Sequence, residues 1–342
     1  MTGPAWKVIV AEIVLGLGTS HSPQLSFPAE KWADLGRADE GNPHLLDDQG
    51  RSITYPELAK LADPAIAAEE MSVEVFKAKF ERLQRGVQGV SDTLAEVAPD
   101  ILIVIGDDQE ENIGFDNMPP VLIYSGETIP SMPRIFTENP FPTIRMAAWS
   151  YGTEERSYPV AADLSKHLIG HLTEADFDVA QSRFLREGMG MGHAFAFMYG
   201  RIFGDNVIPI VPVMVNTYYR PNQPTPKRCY ELGRAIRRAV NDWEKDARVA
   251  IIGSGGLSHF VVNEELDRRV LDAFARKDTE AIYNIPRPLL NSGTSEMRNL
   301  LVAAGATEDL DFELIDYVPC YRSPAGTGGG WAFARWTQIA SQ

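Results

Sequence analysis

"RVAIIGSGGLSHFVVNEELDRRVLDAF", residues 248–274, carries two kinds of pattern back to back. Residues 248–255 form a short apolar run that stops at glycines, as a buried strand does. From residue 263 the apolar positions recur at helical spacing, with acidic residues at the start. The same alternation runs along the chain. Strands are expected at 11–18, 100–106, 120–126 and 207–216, and helices at 73–97, 159–173, 193–203, 227–245, 263–282 and 294–304. This predicts an α/β fold, a central and largely buried sheet flanked by helices, in a single domain over 1–342. Residues 26–72, polar and turn-rich, read as an excursion after the first strand, and the proline-rich pieces at 128–143 and 219–226 as loops.

The totals narrow the function. Hydrophobic residues make up 44% and charged residues 23% of 342, which is ordinary for a globular chain with a sizeable core. A net charge of −15 argues against nucleic acid, whose phosphates call for clustered Lys and Arg. The apolar run near the N-terminus is broken by Glu12 and is too short to span a membrane. Two cysteines, Cys229 and Cys320, cannot make a disulfide framework, so a reducing cytoplasm and core thiols are expected.

Four expected elements run into unusual chemistry. The first strand ends in "GTSHSPQL" with His21, the second in "GDDQEEN" with Asp107, Asp108 and Gln109. The strand at 248–253 leads to His259, and "REGMGMGHAF" presents His193 at a helix start. In open α/β sheets, sites form at the carboxyl ends of strands. "GSGGLS" does not fit a dinucleotide or phosphate loop. His167 and His171, four apart, lack a third ligand and read as solvated helix surface.

"GTSHSP", "GHAFAFMYG", "RCYELGRAIRRAV", "GSGGLSHF" and "NEELDRRVLDAF", in that order over about 11–305, resemble the class III extradiol ring-cleaving dioxygenases. Within that family the likeness is to gallate and 3-O-methylgallate dioxygenases and to the β subunit of protocatechuate 4,5-dioxygenase. The resemblance implies one Fe(II) held by two histidines and a glutamate, a face that leaves positions open for catechol oxygens and O₂. His21 matches the first histidine and Glu265 the glutamate. Gln109 stands where the second histidine would be. Three readings stand for that corner: Gln109 ligates through its amide oxygen, His44 of the excursion supplies the imidazole, or the metal has been lost. His259 matches the catalytic base and His193 a second pocket histidine. Ser292 matches a position that binds the substrate's carboxylate; with Thr294 it stands at a helix start, where an ordinary cap is the plain alternative. The resemblance further implies a small aromatic substrate, a methoxylated or trihydroxylated benzoate, and O₂. With the excursion covering the pocket, a homodimer is expected. Two rivals from other classes are a redox-inert metal hydrolase or lyase, and a metal-free binding protein.

Overall fold

The computed structural model describes residues 10–134 and 148–338. Eleven strands are β1 (Glu12–Thr19), β2 (Ile101–Gly106), β3 (Val121–Tyr124), β4 (Thr128–Ser131), β5 (Arg156–Pro159), β6 (Ala180–Ser182), β7 (Ile210–Val215), β8 (Arg248–Ser254), β9 (His259–Val261), β10 (Asp311–Tyr321) and β11 (Thr327–Thr337). The main sheet runs β10-β11-β1-β8-β2-β7-β3-β6, with β9 paired to β11. At its centre β1, β8, β2 and β7 are mutually parallel. Both faces of these strands are covered, which is why they read as apolar runs without alternation.

On β2, Ile101, Ile103 and Ile105 point to one side and Leu102 and Val104 to the other. The isoleucine side packs on α5 (Ala162–Glu174), α7 (Pro226–Asn241), α8 (Glu264–Arg276) and α10 (Met297–Ala306). The other side packs on α4 (Val73–Val97) and α6 (His193–Phe197). Ser72 caps α4, accepting the Val75 amide at 3.2 Å, and Ala98 ends it in the left-handed region. The excursion contributes the short helices α1 (Trp32–Ala38), α2 (Tyr55–Leu61) and α3 (Pro64–Glu69).

Several elements depart from the sequence expectation. The long C-terminal hairpin β10–β11 went unforeseen, although it adds antiparallel to β1. The proline-rich piece expected as a loop contains β4, which pairs with β5; its residues 135–143 lie outside the described residues. The helix expected over 263–282 breaks at Lys277, φ 55°, and resumes as α9 (Thr279–Tyr283). His167 and His171 are not free surface. His167 Nε2 lies 2.8 Å from the Ala239 carbonyl and His171 Nε2 3.1 Å from Asp242, so both close the C-terminal end of α7. Cys229 and Cys320 are buried and unpaired, as core thiols. No helix among the described residues is long and apolar enough to cross a membrane.

One contact fixes how α10 sits, and α10 positions the site. A Cβ on Gly233 would lie 2.0 Å from the Val302 carbonyl oxygen, and one on Gly305 2.1 Å from that of Tyr230. Helices α7 and α10 therefore touch backbone to backbone. Gly233→Ala is expected to cost about 1–3 kcal/mol by overpacking, measured as a lower urea midpoint at unchanged slope.

Candidate active site

The parallel strands end on one edge and deliver their next residues together. His21 follows β1, Ser254 closes β8 and Asp107 follows β2. Glu296 comes from the 3₁₀ turn Ser292–Glu296 that leads into α10. Every residue of α10 is buried, so the carboxylate at its start is buried too.

The hydrogen bonds around His21 favour one tautomer. Its Nδ1 lies 2.9 Å from Ser254 Oγ, and that hydroxyl gives its own proton to the Ala194 carbonyl at 3.3 Å. Ser254 can then only accept, so Nδ1 carries the proton and Nε2 keeps a lone pair. Burial holds this imidazole at about 4, hence neutral. Its Nε2 is buried with no hydrogen-bond partner, 3.4 Å from Glu296 Oε2 and 3.8 Å from Asp107 Oδ1. A lone pair facing the ionised Glu296 at 3.4 Å is repulsive unless a cation or a proton lies among these groups. A divalent cation fits this donor set.

The carboxylates are held in place by donors. Glu296 Oε2 accepts the Gly256 amide at 3.3 Å, and Asp107 Oδ1 accepts the Asn299 amide at 3.1 Å. Burial and then the charge of Glu296 push Asp107 up to about 8. Burial opposes ionisation of Glu296 as well, but the charge of His259 and its hydrogen bond outweigh it and hold the group at about 2. Gln109 turns its amide nitrogen, not its oxygen, inward: Nε2 lies 3.3 Å from Asp107 Oδ2 and 3.1 Å from Glu296 Oε1. The corner takes this shape because Asp108 accepts the amides of Glu111, Asn112 and Ile113 at 2.9–3.1 Å, curling "DDQEEN" around its own carboxylate.

Two further histidines flank this group. His259 presents Nε2 to Glu296 Oε1 at 3.4 Å, while Nδ1 lies 3.0 Å from the Leu257 carbonyl. Burial lowers its proton affinity, yet the charge of Glu296 and its hydrogen bond raise it above the ordinary value. A Cβ on Gly293 would lie 2.4 Å from His259 Cδ2, so only glycine lets the α10 turn close on this ring. His193 meets His21 edge to face, ring centres 4.6 Å apart. Its Nδ1 lies 2.8 Å from Glu111 Oε2, and its amide donates to the same carboxylate at 3.0 Å. Burial works against protonation, but the charge and hydrogen bond of Glu111 lift His193 to about 10. Tyr151 donates to Glu111, and Arg134 Nη1 lies 3.6 Å away. Among the described residues, His21, Asp107 and His193 each bring a ligand atom within 4.8 Å of one another.

The expected residues therefore divide. His21, His193, His259 and Gln109 converge. Glu265 does not join them: it is exposed on the first turn of α8, and the carboxylate beside His21 is Glu296. His44 is exposed, its ring 6.3 Å from that of Tyr218, and it is not part of the metal-binding group. Ser292 Oγ is spent on the His44 carbonyl at 2.6 Å. Thr294 Oγ1 accepts the His259 amide at 3.1 Å and donates to its carbonyl at 2.9 Å, so it clamps the base's backbone. Glu296, Glu111 and Ser254 were missed. The signal for Glu296 was an acid directly before the mostly apolar helix "MRNLLVAAGA".

Geometry of this kind defines an α/β protein with a buried histidine–carboxylate centre at the carboxyl edge of its parallel strands. Residues 64–326, well over half of the chain, match the catalytic LigB subunit of aromatic ring-opening dioxygenases, and the chain belongs to that family. It is similar to proteins named 2,3-dihydroxyphenylpropionate/2,3-dihydroxicinnamic acid 1,2-dioxygenase. The one from Rhodococcus jostii is 25% identical over 65% of this chain and 65% of its own. That from Comamonas testosteroni is 26% identical over 71% of this chain and 55% of its own. That from Burkholderia vietnamiensis is 30% identical over 53% of this chain and 49% of its own. The chain thus spans about half to two thirds of the length of these relatives.

Proposed function

We propose that this protein is an extradiol dioxygenase that opens the ring of a catecholic benzoate with O₂, using Fe(II) held by His21, Asp107 and Glu296. The observation that carries the reading is the buried, unpartnered Nε2 of His21 facing two carboxylates. His193, whose Nδ1 is held by Glu111 Oε2 at 2.8 Å, is assigned to proton transfer rather than to the ligand set. Asp107 then stands in for the second histidine of the family, with Gln109 bridging the two carboxylates. Bound there, ferrous iron would supply the redox chemistry that joins oxygen to the ring.

The chain supplies position and protons. A catechol must lose a proton as it binds, and His259 Nε2 faces the ligand group to take it. A cation held by Glu296 would share the charge that raises the proton affinity of His259. His193, an imidazolium on the other side of His21, is placed to return a proton to the developing product. Burial of all three histidines keeps bulk water from these transfers.

The deciding experiment is anaerobic Fe(II) loading, then oxygen-electrode assays with gallate, 3-O-methylgallate, protocatechuate and 2,3-dihydroxyphenylpropionate. Stoichiometric O₂ uptake with loss of the aromatic absorbance supports the reading; oxygen-independent turnover with zinc points to the hydrolase or lyase instead. The protein would work as a homodimer without a small partner subunit, and light scattering at assay concentration tests that.

Two variants probe the assignments. Gln109→His places an imidazole where the amide now lies between Asp107 and Glu296, and Fe(II) affinity should rise roughly tenfold. Unchanged metal affinity would place residue 109 outside the metal's reach. Glu111→Gln removes the charge that keeps His193 protonated up to about 10. The alkaline limb of the kcat profile should then move to lower pH; a profile that stays put means His193 donates no proton.

A further inference from the structure

The turn that carries His259 rests on a buried carboxylate with no part in the proton transfers above. Asp267, on the first turn of α8, is fully buried. Its Oδ1 accepts the Ser258 amide at 2.8 Å, and its Oδ2 accepts the hydroxyls of Ser258 at 2.7 Å and Tyr317 at 2.8 Å. Burial pushes the group up to about 6 against the pull of these donors, so it is largely ionised at neutral pH. A turn needs hydrogen-bond acceptors, and neutral groups supply them at less cost than a buried charge.

The charge acts on a single peptide group. The Leu257 carbonyl lies 3.0 Å from His259 Nδ1, and the N–H of that same peptide is the Ser258 amide bound to Asp267. A carbonyl only accepts, so Nδ1 carries a proton there. Imidazole N–H, peptide C=O, peptide N–H and carboxylate thus form one chain whose hydrogen bonds all point the same way. An anion at the N–H end raises the negative charge on the carbonyl oxygen through amide resonance, and each bond strengthens the next. Gly330 brackets the peptide, accepting the Leu257 amide at 3.1 Å and donating to the Ser258 carbonyl at 2.7 Å. A Cβ there would lie 2.0 Å from Asp267 Oδ2, so only glycine lets β11 pass so close to the carboxylate. Glu296 meets the imidazole at Nε2, so the two acids act on different nitrogens.

Resting on the assignment of His259 as the base, we propose that Asp267 is its positioning residue. Acting through the peptide between Leu257 and Ser258, it keeps the proton on Nδ1 and leaves the Nε2 lone pair for the substrate. In serine–histidine–aspartate sites a carboxylate does this by direct contact. Here one peptide group stands between acid and imidazole.

The test uses the full-length protein with isotope-labelled histidine, its His259 signals identified by their absence from His259→Ala. Nitrogen spectra recorded above the pH at which this ring becomes neutral should show the Nδ1–H form. An Nε2–H form refutes the proposal, and this measurement needs no variant of Asp267. Asp267→Asn keeps the shape and removes the charge, so the Nδ1–H proton resonance should move upfield as its hydrogen bond weakens. Tyr317→Phe takes a donor from the same carboxylate but leaves its charge on the Ser258 amide. It should lower the urea midpoint and move that resonance far less. With ferrous iron restored, Asp267→Asn should lose about tenfold in kcat, the rate equivalent of one hydrogen bond, with KM nearly native. A resonance unmoved by Asp267→Asn, or moved equally by Tyr317→Phe, overturns the proposal, as does a loss that falls on KM alone. The spectra are read without turnover, so a protein that consumes no oxygen defeats the dioxygenase reading while they still decide the role of Asp267.

Discussion

Glu296→Ala should emerge from anaerobic iron loading and desalting with almost no bound metal, while Glu265→Ala should keep the native amount. The two acids differ in what surrounds them. Glu296 is buried, 3.4 Å from the free Nε2 of His21, and held at about 2 chiefly by His259, so its charge is present at every working pH. Glu265 is exposed on α8 and takes part in none of these contacts. Partners outside a metal's ligand shell commonly cost 10–100-fold in affinity, and loss of a ligand should exceed about 100-fold. Alanine also leaves the Gly256 amide and the Gln109 amide short of an acceptor, so Glu296→Gln is the companion variant. It keeps an oxygen in place and removes the charge. Iron content by mass spectrometry, with circular dichroism to show that each variant folds, gives the answer. Iron retained by Glu296→Ala and lost by Glu265→Ala would remove Glu296 from the centre.

The second large effect belongs to His259→Ala. Metal content should stay native, because His259 touches the ligand group only through Glu296. Turnover should fall by about 10²–10⁴, the usual worth of a positioned general base. Substrate KM should change far less, since Thr294 holds the backbone of His259 and the ring serves proton transfer. A loss in kcat of less than about tenfold at saturating substrate would mean that some other group takes the catechol proton.

Much of this architecture could be read from residue order. The central strands were legible because burial on both faces writes them as unbroken apolar runs, and α4 because its caps coincide with its apolar stripe. The hairpin β10–β11 was hidden for the opposite reason. Its strands mix acids, a proline and three successive glycines, and only pairing with β1 and β9 makes them strands. His21, His193 and His259 were found because each follows a strand end or a glycine turn. The choice between Glu265 and Glu296 could not be made from spacing. Both begin helices close to the glycine turn, and what separates them is that α10 is buried on all sides while α8 exposes its first turn. His44 failed as a ligand for a similar reason: the excursion turns its ring toward Tyr218 rather than toward Asp107.

The pairing of Gly329 with His259 has a consequence for biosynthesis. A ribosome releases the segment bearing this histidine well before the strand that anchors it. Until that last strand emerges and zips onto the sheet, the nascent chain lacks the edge on which its base rests. The backbone of His259 thus takes its place only once β11 has joined the sheet.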